Sequence, residues 1–255
     1  HDALPILVVG AEGRGSPVRQ AAGIDVLGWK YGQSGVVATV RMERDHGNLA
    51  HEHFLPAGPF AILPLTDRRA SLVWTETTRR AEALKAASDD AFHAHLMRRF
   101  GPFLGRATVE GPRFVYPLSM ELAERLCAPR VALIGDAAHA VHPVAGQGFN
   151  MGLRGAAVLA EVLAEAVSVG EDFGSELVLE RYARWRRFDV AVLAAGFDGF
   201  VRLFSNDLPP VRLARDLGMA AVNRIAPLRR AFMHEAGGAT GDLPKLMREI
   251  GRAHV

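Results

Sequence analysis

The chain has 255 residues, 49% hydrophobic and 23% charged, with 30 basic and 28 acidic side chains and a net charge of +2. That composition excludes a disordered chain and is long enough to bury a sizeable core. The single cysteine, Cys127, excludes an internal disulfide and suits a reducing compartment, and no run of about eighteen apolar residues is present to span a bilayer.

Taken in order, residues 4–10, LPILVVG, read as a buried strand ending in glycine. The start lacks both an initiator Met and the basic and apolar regions of a signal peptide, so it reads as a chain that begins inside a longer frame. AEGRGSPVRQAAG then predicts a glycine loop and a short helix with proline in its first turn. GVVATVRM, GPFAILPL and ASLVWTET predict strands. SDDAFHAHLMRRFG predicts a helix, with Ser88 as N-cap and Ala91, Phe92, His95, Leu96 and Phe100 on one face, stopped by Gly101-Pro102. RFVYPLS and RVALIGDA return as strands. A glycine-rich loop and a long, largely apolar helix, GFNMGLRGAAVLAEVLAEAVSVG, follow. From Ser175 to about Met247 the chain reads as helical, broken at Pro209-Pro210 and Pro227. Arginines recur from Arg181 to Arg230; apolar residues alternate with them at helical spacing, which favours a solvated or membrane-facing helix face over nucleic-acid contact. Glu249–Val255, EIGRAHV, reads as a non-native tail.

The chemistry concentrates in VALIGDAAHAVHPVAGQGFN, Val131–Asn150. Asp136, His139 and His142 could suggest a metal, but Pro143 and two glycines break the helix that would align them, and no second His or Cys cluster lies nearby, so no metal is expected. A strand ending in Gly-Asp, a small-residue loop and a helix N-terminus also form an anion-binding layout, with Gly146 and Gly148 allowing close backbone approach. The residues alone leave that reading and a purely structural strand–turn–helix both open.

GDAAHAVHPVAGQGFNMGL resembles the second FAD-binding motif of the group A flavoprotein aromatic hydroxylases. The resemblance implies that Asp136 binds the ribityl chain and that the loop carrying Pro143, Gly146, Gln147, Gly148 and Asn150 sets backbone N–H groups near the flavin pyrimidine edge. LVVGAEGRGSPVR resembles the family's DG motif, with Glu12 where Asp is usual and with Gly13, Arg14, Ser16 and Arg19 in the pattern; it implies a role for Glu12 and Arg14 near the FAD pyrophosphate and in NAD(P)H use. GPFAILPL, SLVWTET, YPLS, GQGFNMGLR and YARWRRFD resemble most the ubiquinone-biosynthesis hydroxylases. Gly155 stands where that family has Asp, and glycine there weakens the helix by about 0.5–1 kcal/mol relative to Ala. The family's G-x-G-x-x-G segment is not found in these residues, so the resemblance is to an N-terminally truncated member that would not retain FAD by itself.

The expected fold is α/β with α+β character: the C-terminal part of a Rossmann-like FAD-binding domain, with an inserted β-sheet substrate domain and a helical C-terminal region. Residues 1–26 and 116–174 are assigned to the FAD-binding domain, 27–115 to the substrate domain, 175–248 to the helical region and 249–255 to the tail. The resemblance implies an FAD-dependent monooxygenase, reduced by NAD(P)H or another donor, that hydroxylates a prenylated phenol through a flavin C4a-hydroperoxide. Phe60, Leu63, Leu65 and Trp74 are candidates for the ring pocket, with plain core packing the competing reading; no residue stands out as a catalytic acid or base, and Tyr116 is a weak candidate. The expected location is cytoplasmic, peripheral on the inner membrane face or in a ubiquinone-biosynthesis complex. The alternatives are a non-catalytic assembly protein without flavin, or a related flavin-dependent epoxidase, reductase or halogenase.

Overall fold

The computed structural model describes residues 6–143, 146–204, 208–236 and 241–250. The chain divides into two compact units: one comprises His1–Trp29, Ser119–Gly199 and Leu217–Val255, the other Lys30–Leu118 and Phe200–Asp216. Of the expected strand over residues 4–10, the first two residues lie outside the described ones, as do Val144, Ala145 and the last five residues of the expected tail.

In the first unit a three-stranded sheet is built from β1 (Val8–Gly10), β7 (Cys127–Ala128) and β8 (Val131–Leu133), in the order β1-β8-β7. β1 runs parallel to β8, with Val8 opposite Val131 and Gly10 opposite Leu133. Helix α1 (Pro17–Ala21) begins as proline and serine dictate: Pro17 occupies the first turn, where its missing N–H costs nothing, and Ser16 Oγ accepts the Arg19 N–H. Helix α4 (Gly148–Ser168) and the first part of α5 (Glu176–Phe204) cover the sheet. Val158, Leu159, Val162 and Ala166 of α4 meet Leu179 and Tyr182 of α5 and Leu133 of β8 in one core. The arginines of α5 do not all face water. Arg186 is fully buried, donating to Asp189 Oδ2 at 3.1 Å and to Met151 O at 3.3 Å, so the expected solvated arginine face is corrected at that position.

The second unit is a strongly antiparallel sheet with two helices. β2 (Val26–Met42), β3 (His51–Leu55), β4 (Gly58–Pro64), β5 (Arg69–Thr77) and β6 (Ala107–Ala123) lie in the order β3-β4-β5-β2-β6. Val26–Trp29 of β2 and Ser119–Ala123 of β6 belong to the first unit, where β6 pairs with β9 (His139–Ala140). Period-two alternation aims Val36, Ala38, Val40 and Met42 of β2 and Leu72 and Trp74 of β5 at one face. Helices α2 (Thr78–Ala86) and α3 (Asp89–Phe100) supply Ala81, Leu84, Phe92, Leu96 and Phe100 to the same core. α3 follows its sequence signals: Ser88 Oγ accepts the Ala91 N–H, Asp89 and Asp90 sit at the positive end, Arg98 and Arg99 at the negative end, and Gly101 stops it at φ 73°. Ala91 is exposed and His95 half-buried, so the buried stripe is narrower than expected.

α6 (Pro209–Arg224) opens on the proline pair, α7 (Ala226–Ala236) carries Pro227 in its first turn, and α8 (Lys245–Ile250) rests on α4 through Lys245, whose backbone N–H donates to Glu161 Oε2 at 2.6 Å. Both proline positions begin helices as well as break them, because the first turn needs no proline N–H.

Candidate functional site

The site is assembled in the first unit around the turn that follows β8. Gly135–Ala137 form one turn of 3-10 helix, opened by Gly135 at φ 58°, and Asp136 projects from it with its side chain 47% exposed. The turn is held from two sides. Ile134 N donates to Gly10 O at 2.9 Å, and the buried Arg19 guanidinium donates to Ala137 O at 2.9 Å. On its other side the backbone of α4 comes so close that a Cβ built on Gly152 would lie 3.3 Å from Gly135 Cα. Two segments more than a hundred residues apart in sequence are thereby fixed to each other by backbone acceptors and one buried arginine.

Arg14 meets the same turn. Its Nε lies 3.8 Å from Asp136 Oδ2, its first terminal nitrogen donates to Ser119 Oγ at 2.6 Å, and its second donates to Val141 O at 3.3 Å. Glu12 behaves differently. Its Oε1 accepts from Ser16 Oγ at 2.7 Å and from Val18 N at 2.8 Å, and these bonds, with Ser16 the larger, hold its carboxyl below the usual range. The carboxylate is turned into the first turn of α1 and braces it.

The loop before α4 carries Pro143, exposed, and Gly146, at φ 63° with open space where a Cβ would stand. Gln147 is the N-cap of α4 but makes no side-chain cap bond; its Oε1 instead accepts from Asn150 Nδ2 at 3.0 Å. Gly148 opens the helix. The first-turn N–H groups of a helix have no partner within it, and the dipole is positive there, so acceptors are favoured at this end. The structure thus holds Asp136, Arg14, Glu12, Pro143, Gly146, Gln147, Gly148 and Asn150 in one unit, with Glu12 bonded into the first turn of α1.

His139 and His142 are buried beside this turn. Burial, and then the charge of Arg186, pushes His139 down to about 4; burial, and then Arg14, does the same for His142. Both rings are therefore neutral near pH 7. Among the described residues no group of three or more His, Cys, Asp or Glu side chains could hold a metal.

The four pocket candidates in the second unit do not share a surface. Phe60 and Trp74 are opposite each other in the β4–β5 register, each 1% exposed, 5.7 Å apart edge-to-face, with Trp74 a further 6.0 Å from Phe92 of α3. Both belong to the core of the second unit, in line with the core-packing reading, because the pleat aims them at the helices. Leu63 and Leu65 are each 41% exposed. Tyr116 is exposed and stacks on Phe114 at 6.4 Å.

Two contributors, Ser119 and Tyr182, and the partner of a third, Arg19, are not singled out by the sequence. Ser119 receives Arg14, Arg19 holds the Ala137 carbonyl, and Tyr182 donates to Leu133 O at 2.7 Å from behind β8. Each lay inside a quoted motif, but the contact spans 49 to 118 positions and no local pattern announces it.

Residues 5–193 match the family model described as FAD binding domain. The ubiquinone hydroxylase UbiL of Rhodospirillum rubrum is 51% identical over 247 residues, covering 96% of this chain and 58% of that protein. The 3-demethoxyubiquinol 3-hydroxylase of Escherichia coli is 41% identical over 232 residues, covering 91% and 59%. The chain therefore spans less than two thirds of the length of these relatives. Among solved structures, p-nitrophenol 4-monooxygenase PnpA from Pseudomonas putida superposes with a TM-score of 0.74 at 20% identity, over 92% of this chain and 59% of that one. The Diels-Alderase PyrE3 gives 0.72 at 22%, over 93% and 51%. At those identities the structures establish the shared fold.

Proposed function

The chain belongs to the FAD binding domain family, and from that premise we propose that it forms part of an FAD-dependent monooxygenase that hydroxylates a phenolic ring, with a prenylated ubiquinone precursor as substrate. The observation that carries this reading is the half-exposed Asp136 carboxylate on a turn packed against α4, whose N-cap Gln147 makes no side-chain cap bond. The residues present fit FAD: a carboxylate for sugar-type hydroxyls, open space at Gly146, and the N-terminal turn of α4, whose first N–H groups have no partner within the helix, for an acceptor-rich ring edge.

When bound, FAD would accept electrons from NAD(P)H or another donor and activate dioxygen so that one oxygen atom passes to the ring. The chain's own work is binding and orientation. Asp136 would accept hydrogen bonds from the ribityl hydroxyls, and the backbone N–H groups at the start of α4 would favour negative charge on the pyrimidine edge. Leu63 and Leu65 remain the exposed apolar candidates to meet the ring. The neutral, buried His139 and His142 act as scaffold.

A prenylated substrate resides in a bilayer. Among the described residues no helix is long and apolar enough to cross one, but α7 exposes Leu228, Phe232 and Met233 beside Arg229 and Arg230. That mixture suits attachment to an anionic membrane surface on the cytoplasmic side.

The test uses the complete polypeptide carrying these residues, with FAD, a nicotinamide donor, a prenylated phenol and isotope-labelled dioxygen. The expected result is a hydroxylated product carrying one labelled atom. Flavin turnover without label in the product would contradict the reading.

A further inference from the structure

Arg14 uses all three guanidinium nitrogens, and each contact reaches a different part of the chain. Its firmest bond goes to neither the Asp136 turn nor the backbone but to the Ser119 hydroxyl, at 2.6 Å. Ser119 in turn donates its proton to Glu121 Oε1 at 3.0 Å, which leaves the Ser119 oxygen free to accept from Arg14. The backbone of Glu121 is paired opposite Ala140 in the β6–β9 ladder, which sets where its side chain starts. Arg14 also donates to the Val141 carbonyl, one residue beyond that ladder pair. The guanidinium therefore closes the end of the ladder, and only its Nε edge, 3.8 Å from Asp136 Oδ2, is left to face the turn.

We propose that Ser119, oriented by Glu121, is a positioning residue of the cofactor site, holding Arg14 so that Arg14 fixes the Asp136 carboxylate in the orientation that receives the cofactor's hydroxyl chain. The inference rests on the cofactor role proposed for Asp136. The physical reason is that an exposed aspartate samples several rotamers, and a ligand that needs one of them binds more weakly by the fraction of time it is absent. An arginine held at two other points restricts the carboxylate without covering it. Charge-assisted bonds to serine and to a carbonyl are strong enough to hold the guanidinium in place.

The experiment measures FAD affinity in the complete polypeptide, by flavin fluorescence quenching, for Ser119→Ala, Ser119→Thr, Asp136→Asn and the double variant Ser119→Ala/Asp136→Asn, with the melting temperature of each cofactor-free protein. Ser119→Ala is expected to weaken FAD on the order of fivefold, with the melting temperature unchanged. Ser119→Thr keeps the hydroxyl and is expected to restore affinity. In the Asp136→Asn background, Ser119→Ala is expected to have no further effect, since its action passes through that carboxylate. An unchanged affinity in Ser119→Ala, or an equal loss in both backgrounds, overturns the proposal while leaving the role of Asp136 standing. If Asp136→Asn alone binds FAD normally, the cofactor role of Asp136 falls, and this inference with it.

Discussion

Two glycines one turn apart in α4 offer a controlled comparison, because both would gain the same helix propensity from alanine and only one has room for it. Glycine in a helix interior costs about 1 kcal/mol relative to alanine. At Gly155 an added Cβ would meet Tyr182 Oη at 3.7 Å and Arg186 Nε at 3.9 Å, ordinary contact distances. Gly155→Ala should therefore keep most of that gain, and for a chain of this size the melting temperature should rise by about 2–4 °C per kcal/mol. At Gly152 the added Cβ would lie 3.3 Å from Gly135 Cα, a backbone atom in a turn already held at positive φ and carrying Asp136. Relief requires moving that turn by a few tenths of an ångström, so Gly152→Ala should lose the propensity gain and weaken FAD. Calorimetric melting of both variants, with a flavin titration of each in the complete polypeptide, decides the matter. Equal stabilisation by the two substitutions with unchanged FAD affinity would refute the claim that α4 and the Asp136 turn are packed backbone to backbone.

Acid should destabilise the fold through the two buried histidines. Their folded values near 4 lie below the ordinary 6.5, so as pH falls from 6.5 to about 4 the unfolded chain takes up protons that the folded one refuses, at up to about 3 kcal/mol per histidine. Urea midpoints should drop steeply across that window, and His139→Gln should flatten the drop; a flat profile in the parent protein would show the rings to be accessible. Trp74→Ala removes a fully buried ring from between Phe60 and Phe92 and should cost about 3–5 kcal/mol, whereas Leu63→Ala should change stability by no more than about 1 kcal/mol. Similar urea midpoints for the two would contradict the placement of Trp74 in the core.

What the sequence discloses is what neighbouring residues decide. α3 was legible because its cap, its apolar spacing and its terminal glycine all lie within fourteen positions. α2 was missed because only Ala81 and Leu84 are buried, a stripe too thin for periodicity to register. β3 was missed because His51, Glu52 and His53 carry no strand preference, and its pairing with β4 places it. The GDAAH to GQGFN motif was legible as a spacing of residues, but the turn around Asp136 is held by Gly10, Arg19 and α4, contacts that the local spacing does not announce. The choice between pocket and core for Phe60 and Trp74 stays open in the sequence for a different reason: alternation shows that they share a face, but only the placement of Phe92 on α3 shows that the face is covered. Glu12 is similar. A carboxylate in a glycine loop suits a ligand or a helix start equally well, and only the structure shows that its Oε1 accepts from Ser16 and Val18.

The central claim is that the turn at Asp136 and the start of α4 grip a flavin. It is tested most directly by titrating FAD into the complete polypeptide and into its Asp136→Ala variant. Loss of hydrogen bonds to a charged acceptor is worth about 1.5–3 kcal/mol, so the variant should bind FAD about 10- to 100-fold more weakly at an unchanged melting temperature of the cofactor-free protein. Equal affinity in the two proteins would contradict the account.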